Sequence, residues 1–315
     1  MDRLDAMKVF VVALDEGSLA GAARVLKRSP AAVSRAIAFL EAHVGAPLLH
    51  RTTRVMRLST TGERYATACR RILVDLEEAE LLATSERSAP RGVLTVSAPP
   101  IAGEEILRPI VDAFLRNHPA VSIRLQLLDR QVNLIDEGVD VALRIANLPD
   151  SSLVAVKVGD QVRSVVCAAP RYLANHPRID QPADLAGHQI VTQANFGLNS
   201  WTFPPAAGSA VSRSIHFTPR IVVNSVRVAL ASAVDGLGVT RLYSYHVADK
   251  VREGALRIVL QHAEHEPLPV HLVAQSSRIA VPKVRAFVDF AAPRLRSEFS
   301  RLAREAGQLE IGSDG

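Results

Sequence analysis

The residues of this chain that could do chemistry are sparse. No nucleophile, phosphate-binding or metalloenzyme signature is complete: there is no G-x-S-x-G, no G-x-x-x-x-G-K and no H-E-x-x-H. Gly236-Leu237-Gly238 lacks the third glycine of a dinucleotide turn and follows a predicted helix instead of opening one. His262, His265 and His271 cluster in sequence, but Pro267 and Pro269 lie among them, which reads as a solvated loop and not a metal site. The two cysteines, Cys69 and Cys167, stand far apart with no C-x-x-C and no histidine cluster beside either. The pattern therefore predicts no catalytic residue, no metal and no cofactor.

Positive charge is what the chain concentrates. Between Arg24 and Arg71 there are ten Lys/Arg against two acids, Glu41 and Glu63, in a chain whose net charge is +5, so the remainder is net acidic. A basic cluster of this kind is the electrostatic footprint expected for phosphate groups. A second gathering consists of Ser97, Arg144 and Ser225, at the ends of predicted strands. A guanidinium grips a carboxylate bidentately, and hydroxyls supply further hydrogen bonds.

The basic cluster surrounds a stretch, residues 18–44, that predicts two short helices with a turn between them. Ala20, Ala22, Ala23 and Leu26 recur at near-helical spacing, and their small side chains permit close helix packing. Arg28-Ser29-Pro30 interrupts the pattern with a favoured N-cap followed by proline at the first helical position. Val33, Ile37 and Leu40 then form an apolar stripe opposite Ser34, Arg35 and Ala38. Taken alone this is either an alanine-rich helix pair or a helix-turn-helix, whose second helix reads the major groove. Upstream, Leu4, Met7, Phe10, Val11 and Leu14 predict an amphipathic helix over 3–16, ended by Gly17. Downstream, Gly45-Ala46-Pro47 stops the second helix, and a β-prone segment carrying Arg51, Arg54 and Arg57 reads as a basic wing. Thr60 and Glu63 read as a capping box opening a long helix over 61–84. On it Tyr65, Cys69, Ile72, Leu76, Ala79 and Ala83 step as a heptad seam, the signature of a dimerising linker helix.

The order of these signals (AxxAAxxL, S-P-A-A-V-S-R, G-x-P-L-L-x-R, LSTTGE) resembles the N-terminal half of a LysR-type transcriptional regulator, densely over residues 1–85. The chain departs from the pattern at Pro30, where family members often carry a polar side chain. The resemblance implies DNA contacts from Ser29, Ala31, Ser34 and Arg35 in the reading helix and from Arg51, Thr53 and Arg54 in the wing. The heptad seam itself gives the expected dimerisation residues, Tyr65, Cys69, Ile72, Leu76 and Ala79.

A polar hinge at 85–92 precedes strands alternating with helices, an α/β pattern. Strands are predicted at 92–98, 122–128, 140–145, 163–169, 188–192, 220–224, 238–242, 256–260 and 270–275. Helices are predicted at 105–117, 132–137, 170–175, 225–235 and 281–301. The resemblance adds the fold class: a two-lobed, periplasmic-binding-protein-like α/β domain after an all-α winged helix-turn-helix and a long linker helix. The expected domains are a winged helix-turn-helix at 1–60 and a linker helix and hinge at 61–90. An effector-binding domain follows at 91–301, with lobe I at 91–162 plus 269–301 and lobe II at 163–268; a flexible tail takes 302–315. Ligands in open α/β folds sit at the carboxyl ends of strands, which nominates Ser97, Pro99, Pro100, Ile101, Arg144, Asn224 and Ser225 as effector-binding.

The expected function is a DNA-binding regulator whose promoter binding responds to a small anionic effector in an interlobe cleft, with a carboxylate as the expected class. The alternative is an enzyme with a fused helix-turn-helix head. Expected partners are double-stranded promoter DNA, the effector, a second copy of the chain in a homodimer or homotetramer, and RNA polymerase. With no signal peptide pattern, no apolar run long enough to span a bilayer and no disulfide framework, a cytoplasmic protein without membrane partners is expected.

Overall fold

The computed structural model describes residues 2–50, 56–84, 89–148, 153–205 and 210–308. The chain divides into two units, residues 1–88 and 89–315.

The first unit is built on α1 (Arg3–Asp15), α2 (Leu19–Val25) and α3 (Pro30–Val44), followed by β1 (Leu49–His50), β2 (Arg57–Leu58) and α4 (Thr60–Thr84). Both expected caps form: Ser18 Oγ accepts the Gly21 N–H and Ser29 Oγ accepts the Ala32 N–H. Ala6, Met7, Val9, Phe10 and Ala13 of α1 are buried on two sides, against α3 and against Tyr65 and Cys69 of α4. Of the expected stripe, Met7 and Phe10 enter the core and Leu4, Val11 and Leu14 lie at its edge, because burial on two sides widens the apolar face beyond one stripe. Between α2 and α3 the chain turns through Lys27 at φ 52°, and Arg28 N–H closes the turn on Ala23 O at 2.9 Å.

The start of α4 corrects the sequence reading. The cap is Ser59, not Thr60: its Oγ accepts the Gly62 N–H at 2.9 Å and donates to Pro47 O at 2.6 Å. Ser59 thus ties the helix to the chain entering β1, and the Thr60–Glu63 box is not made. Gly62 is required by the same close approach, since a Cβ there would lie 2.0 Å from the Leu48 carbonyl oxygen.

The second unit carries two five-stranded mixed sheets. One has the order β4-β3-β5-β14-β6, from β3 (Gly92–Ala98), β4 (Val121–Leu127), β5 (Val141–Ile145), β6 (Leu153–Val162) and β14 (Leu268–Gln275). The other has the order β11-β8-β12-β7-β13, from β7 (Ser164–Ala168), β8 (Ile190–Gln193), β11 (Pro219–Val223), β12 (Val239–Tyr243) and β13 (Arg257–Val259). A small antiparallel pair, β9 (Ser200–Phe203) with β10 (Arg213–His216), stands apart. The helices are α5 (Arg108–Asn117), α6 (Pro170–Ala174), α7 (Val226–Val234), α8 (Ser244–Arg252) and α9 (Pro282–Gln308). Leu94, Val96, Phe114, Leu143, Val270 and Phe287 centre the core of the first sheet, and Val165, Val191, Ala229 and Leu242 lie in that of the second.

Three further readings are corrected. Residues 132–137 form a turn: Asn133 Oδ1 accepts the Ile135 and Asp136 N–H groups, and Gly138 at φ 64° ends the segment before a helix can propagate. The final helix does not stop at Arg301 but runs to Gln308, held by Arg301 bridging Glu298 and Glu305. β6, β9, β10 and α8 were not read from the sequence. β6 was legible in the alternation of Val154, Val156 and Val158, and it pairs with β14 along most of its length. The 85–88 part of the expected hinge and residues 309–315 of the expected tail lie outside the described residues. Among the described residues no helix is long and apolar enough to cross a membrane.

Gly62→Ala is expected to destabilise the N-terminal unit by about 2–3 kcal/mol, because backbone faces the new methyl. Urea denaturation of the intact protein, read through this unit, checks it. An unchanged midpoint would mean that β1 and α4 separate at no cost.

Candidate functional site

The face of α3 opposite the core is open. Ser29, Ala31, Ser34 and Arg35 are exposed, while Val33, Ala36, Ile37 and Leu40 are buried beneath them. Pro30 sits at the first turn of the helix and is exposed beside Ser29. The basic cluster needs one correction, because two of its members are neutralised from α1. Arg28 grips Asp5 bidentately at 2.7 and 2.8 Å, and Arg70 meets Asp15 at 2.6 Å. Arg24, Lys27, Arg35, Arg57, Arg64 and Arg71 remain exposed, with no ion pair among the described residues. Glu41 is also taken, its Oε1 accepting the Leu48 and Leu49 N–H groups. β1 pairs antiparallel with β2, His50 opposite Arg57, as the base of a wing. Arg51, Thr53 and Arg54 lie outside the described residues.

The heptad seam on α4 divides in two. Cys69 is fully buried in the unit's own core, and the Tyr65 ring lies tilted, 6.2 Å from that of Phe10. Burial pushes the Cys69 thiol up to about 11. A side chain consumed inside one chain cannot also face a second copy, so Cys69 leaves the expected seam and Tyr65 is largely spoken for. Among the seam members whose side chains are described, Ile72 and Leu76, each 36% exposed, remain on the surface. Ala79 lies further along the same helix.

Within the second unit a cavity of about 630 Å³ opens between the two sheets. Its walls are the carboxyl ends of parallel strands from both: Ser97 of β3, Asp129 after β4, Arg144 of β5, Gln193 of β8 and Tyr243 of β12. Of the expected residues, Ser97, Pro99, Ile101 and Arg144 line this cavity. Pro100, Asn224 and Ser225 do not. β11 is the edge strand, two places from β12, so its end at Asn224 falls short of the cleft; one residue beyond Ser225, Val226 reaches it. The Ser225 side chain makes no capping bond.

Arg144 is not paired with Asp140, which is occupied by Arg278 at 2.5 Å and by the Thr95 N–H at 2.7 Å. The Arg144 guanidinium donates to the Val132 carbonyl, and partial burial without a counter-charge lowers its pKa. The sequence reading missed Asp129, Gln193, Asn195, Phe196, Tyr243, Tyr245 and His246. The signal was present: Tyr243-Ser-Tyr-His follows the apolar run of β12, and the rule that ligands meet strand ends applies to that strand as to β3 and β5. Two contacts bridge the mouth, Arg227 of α7 with Glu104 and Glu105, and Asn195 Nδ2–H with the Asp129 carbonyl.

His246 gives the cleft wall a pH dependence. Its Nδ1 accepts the Tyr243 N–H at 3.3 Å, which requires the neutral ring. Burial first, and then the charge of Arg227, hold its pKa down at about 3, against an ordinary 6.5. The unfolded chain takes up this proton below pH 6.5 and the folded chain only near 3, so stability falls as pH drops between them. His246→Gln should remove about 1–2 kcal/mol of the stability lost between about pH 7.5 and about pH 5. Urea denaturation at both pH values reads it, and equal losses in wild type and variant would overturn it.

Residues 4–63 match the bacterial regulatory helix-turn-helix of the lysR family, and residues 87–296 match the LysR substrate binding domain. An HTH-type transcriptional regulator of Xanthomonas campestris pv. campestris is 33% identical over 290 residues, covering 91% of this chain and 84% of that protein. The HTH-type transcriptional regulator CrgA of Neisseria meningitidis is 31% identical over 293 residues, covering 92% and 96%. The solved structure of CrgA aligns at a TM-score of 0.57, covering 92% of this chain and 98% of that one. Full-length AphB, a virulence activator of Vibrio cholerae, aligns at a TM-score of 0.61 with 26% identity, covering 92% and 98%. These relatives are regulators and not enzymes, which sets aside the reading of an enzyme with a fused head. The two family models together span most of the chain, and the Xanthomonas and Neisseria relatives are 33% and 31% identical over 91% and 92% of it, so this chain belongs to the LysR family of transcriptional regulators.

Proposed function

We propose that the protein binds operator DNA with α3 in the major groove and the wing along the backbone, and that a small carboxylate in the interlobe cleft sets the affinity. The observation that carries the DNA half is the exposed face of α3. Ser29, Ala31, Ser34 and Arg35 are exposed on the side opposite the core, and the same basic cluster exposes five further cations with no ion pair among the described residues. Arg35 is the side chain able to grip a guanine edge bidentately, while Ser29 and Ser34 suit phosphate or base contacts. Arg51, Thr53 and Arg54 are assigned to the wing's backbone contacts. Ile72 and Leu76 are the apolar surface through which a second copy pairs along α4, with Ala79 continuing the line.

The effector half rests on Arg144, a half-buried guanidinium whose described partner is a carbonyl and not an acid. Ser97 beside it supplies a hydroxyl, and Pro99 and Ile101 an apolar wall. A carboxylate satisfies the open side of that fork.

The experiment is a pair of DNA titrations with wild type and Arg35→Ala, on the operator flanking the gene and on unrelated DNA. Arg35→Ala should weaken operator binding by about 1–3 kcal/mol and unrelated DNA far less. Equal losses on both would show that Arg35 touches the backbone and reads no base.

A further inference from the structure

The cleft contains a second uncompensated charge, of the opposite sign to Arg144. Asp129 follows β4 and lines the same cavity. Its backbone carbonyl accepts from Asn195, but its carboxylate has no hydrogen bond or ion pair among the described residues. Burial alone raises its pKa. Asp129 and Arg144 do not pair with each other, and each is half-desolvated with no counter-charge among the described residues. A partly buried charge left this way is unfavourable until something of opposite sign meets it.

The surroundings of Asp129 say what that is. Tyr243 and Tyr245 lie with rings 6.1 Å apart and nearly parallel, and Phe196 meets Tyr243 edge-on at 4.9 Å. Burial holds both tyrosine hydroxyls above their ordinary range, and the Asp129 charge adds to it, so the carboxylate is within electrostatic reach of both rings. The Tyr245 hydroxyl oxygen is buried and unpartnered in the same wall. An acid beside aromatic faces is the combination that holds an ammonium group, by charge and by cation–π attraction.

We infer that the cleft takes a small organic zwitterion, one molecule whose carboxylate meets Arg144 and whose ammonium group meets Asp129 and the faces of Tyr243 and Tyr245. The inference rests on the proposed effector cleft and deepens it. A simple carboxylate satisfies Arg144 and leaves Asp129 bare; a simple amine does the reverse. The cavity, at about 630 Å³, has room for an amino-acid-sized ligand.

The test is calorimetry on the full-length protein with matched triplets. Each triplet is an α- or ω-amino acid, the acid lacking its amino group and the amine lacking its carboxyl group. At least one zwitterion should bind tenfold or more tightly than both of its matched partners. Asp129→Asn should reduce that zwitterion to the affinity of its acid and leave the acid unchanged, while Arg144→Gln should reduce it to the affinity of its amine. If every acid binds as well as its zwitterion and Asp129→Asn changes nothing, this inference falls and the carboxylate reading stands. If neither acids nor zwitterions bind, both fall.

Discussion

One buried ion pair, Arg163 with Glu264, joins the two connections between the sheets of the second unit. The chain passes between the two sheets twice, through Arg163 between β6 and β7 and through the segment containing Glu264 between β13 and β14. At that point Arg163 Nε and Nη2 grip Glu264 at 2.7 and 2.8 Å, the two side chains being 14% and 11% exposed. Ser244, at the start of α8, clasps the same residue: its Oγ accepts the Arg163 N–H at 3.2 Å and its N–H donates to the Arg163 carbonyl at 2.8 Å. A buried pair of this kind adds little over a well-packed apolar pair, yet removing one partner strands a charge at a cost of about 3–5 kcal/mol. Its consequence is geometric. Both connections are fixed side by side, so the carboxyl ends of β3, β5, β8 and β12 face one another across a single cleft.

The contacts at the mouth are of a different kind. Arg227 with Glu104 and Glu105 is more than 40% exposed on both sides, and exposed pairs are worth about 0–1 kcal/mol. Such a bridge is too weak to dictate the separation of the sheets. Arg144 and Asp129, half-buried and uncompensated, are the stronger terms, and a molecule that answers them both favours whichever arrangement lets it touch both walls.

The N-terminal unit was legible because its signals are local. Ser18 and Ser29 each cap a helix three residues on, and a cap is settled by side chain and backbone without distant partners. Where a nearby segment competes, the reading slipped by one residue: Ser59 replaced Thr60 because only Ser59 also reaches Pro47 O. On α4 the seam splits, Cys69 packing into its own unit while Ile72 and Leu76 stay on the surface, since periodicity does not say whether a stripe packs on its own chain or on another. In the second unit Ser97 and Arg144 reach the cavity because they end strands inside their sheet, and Asn224 and Ser225 fall short of it because their strand is at an edge, an order not visible in the sequence. Asp129 lies just past an apolar strand in a stretch that reads as loop, and only the fold brings it opposite Tyr243 and Tyr245.

The central claim is that occupancy of the cleft and binding of DNA are one coupled equilibrium. The direct measurement is the operator affinity of the intact protein, without ligand and with the best cleft binder at saturation, together with the ligand affinity with and without operator. Coupling requires the two factors to be equal, and one of roughly 5- to 150-fold is typical of such linkage. Two equal factors, in the same direction, are the predicted result. An operator affinity that stays the same while the cleft fills would contradict the account.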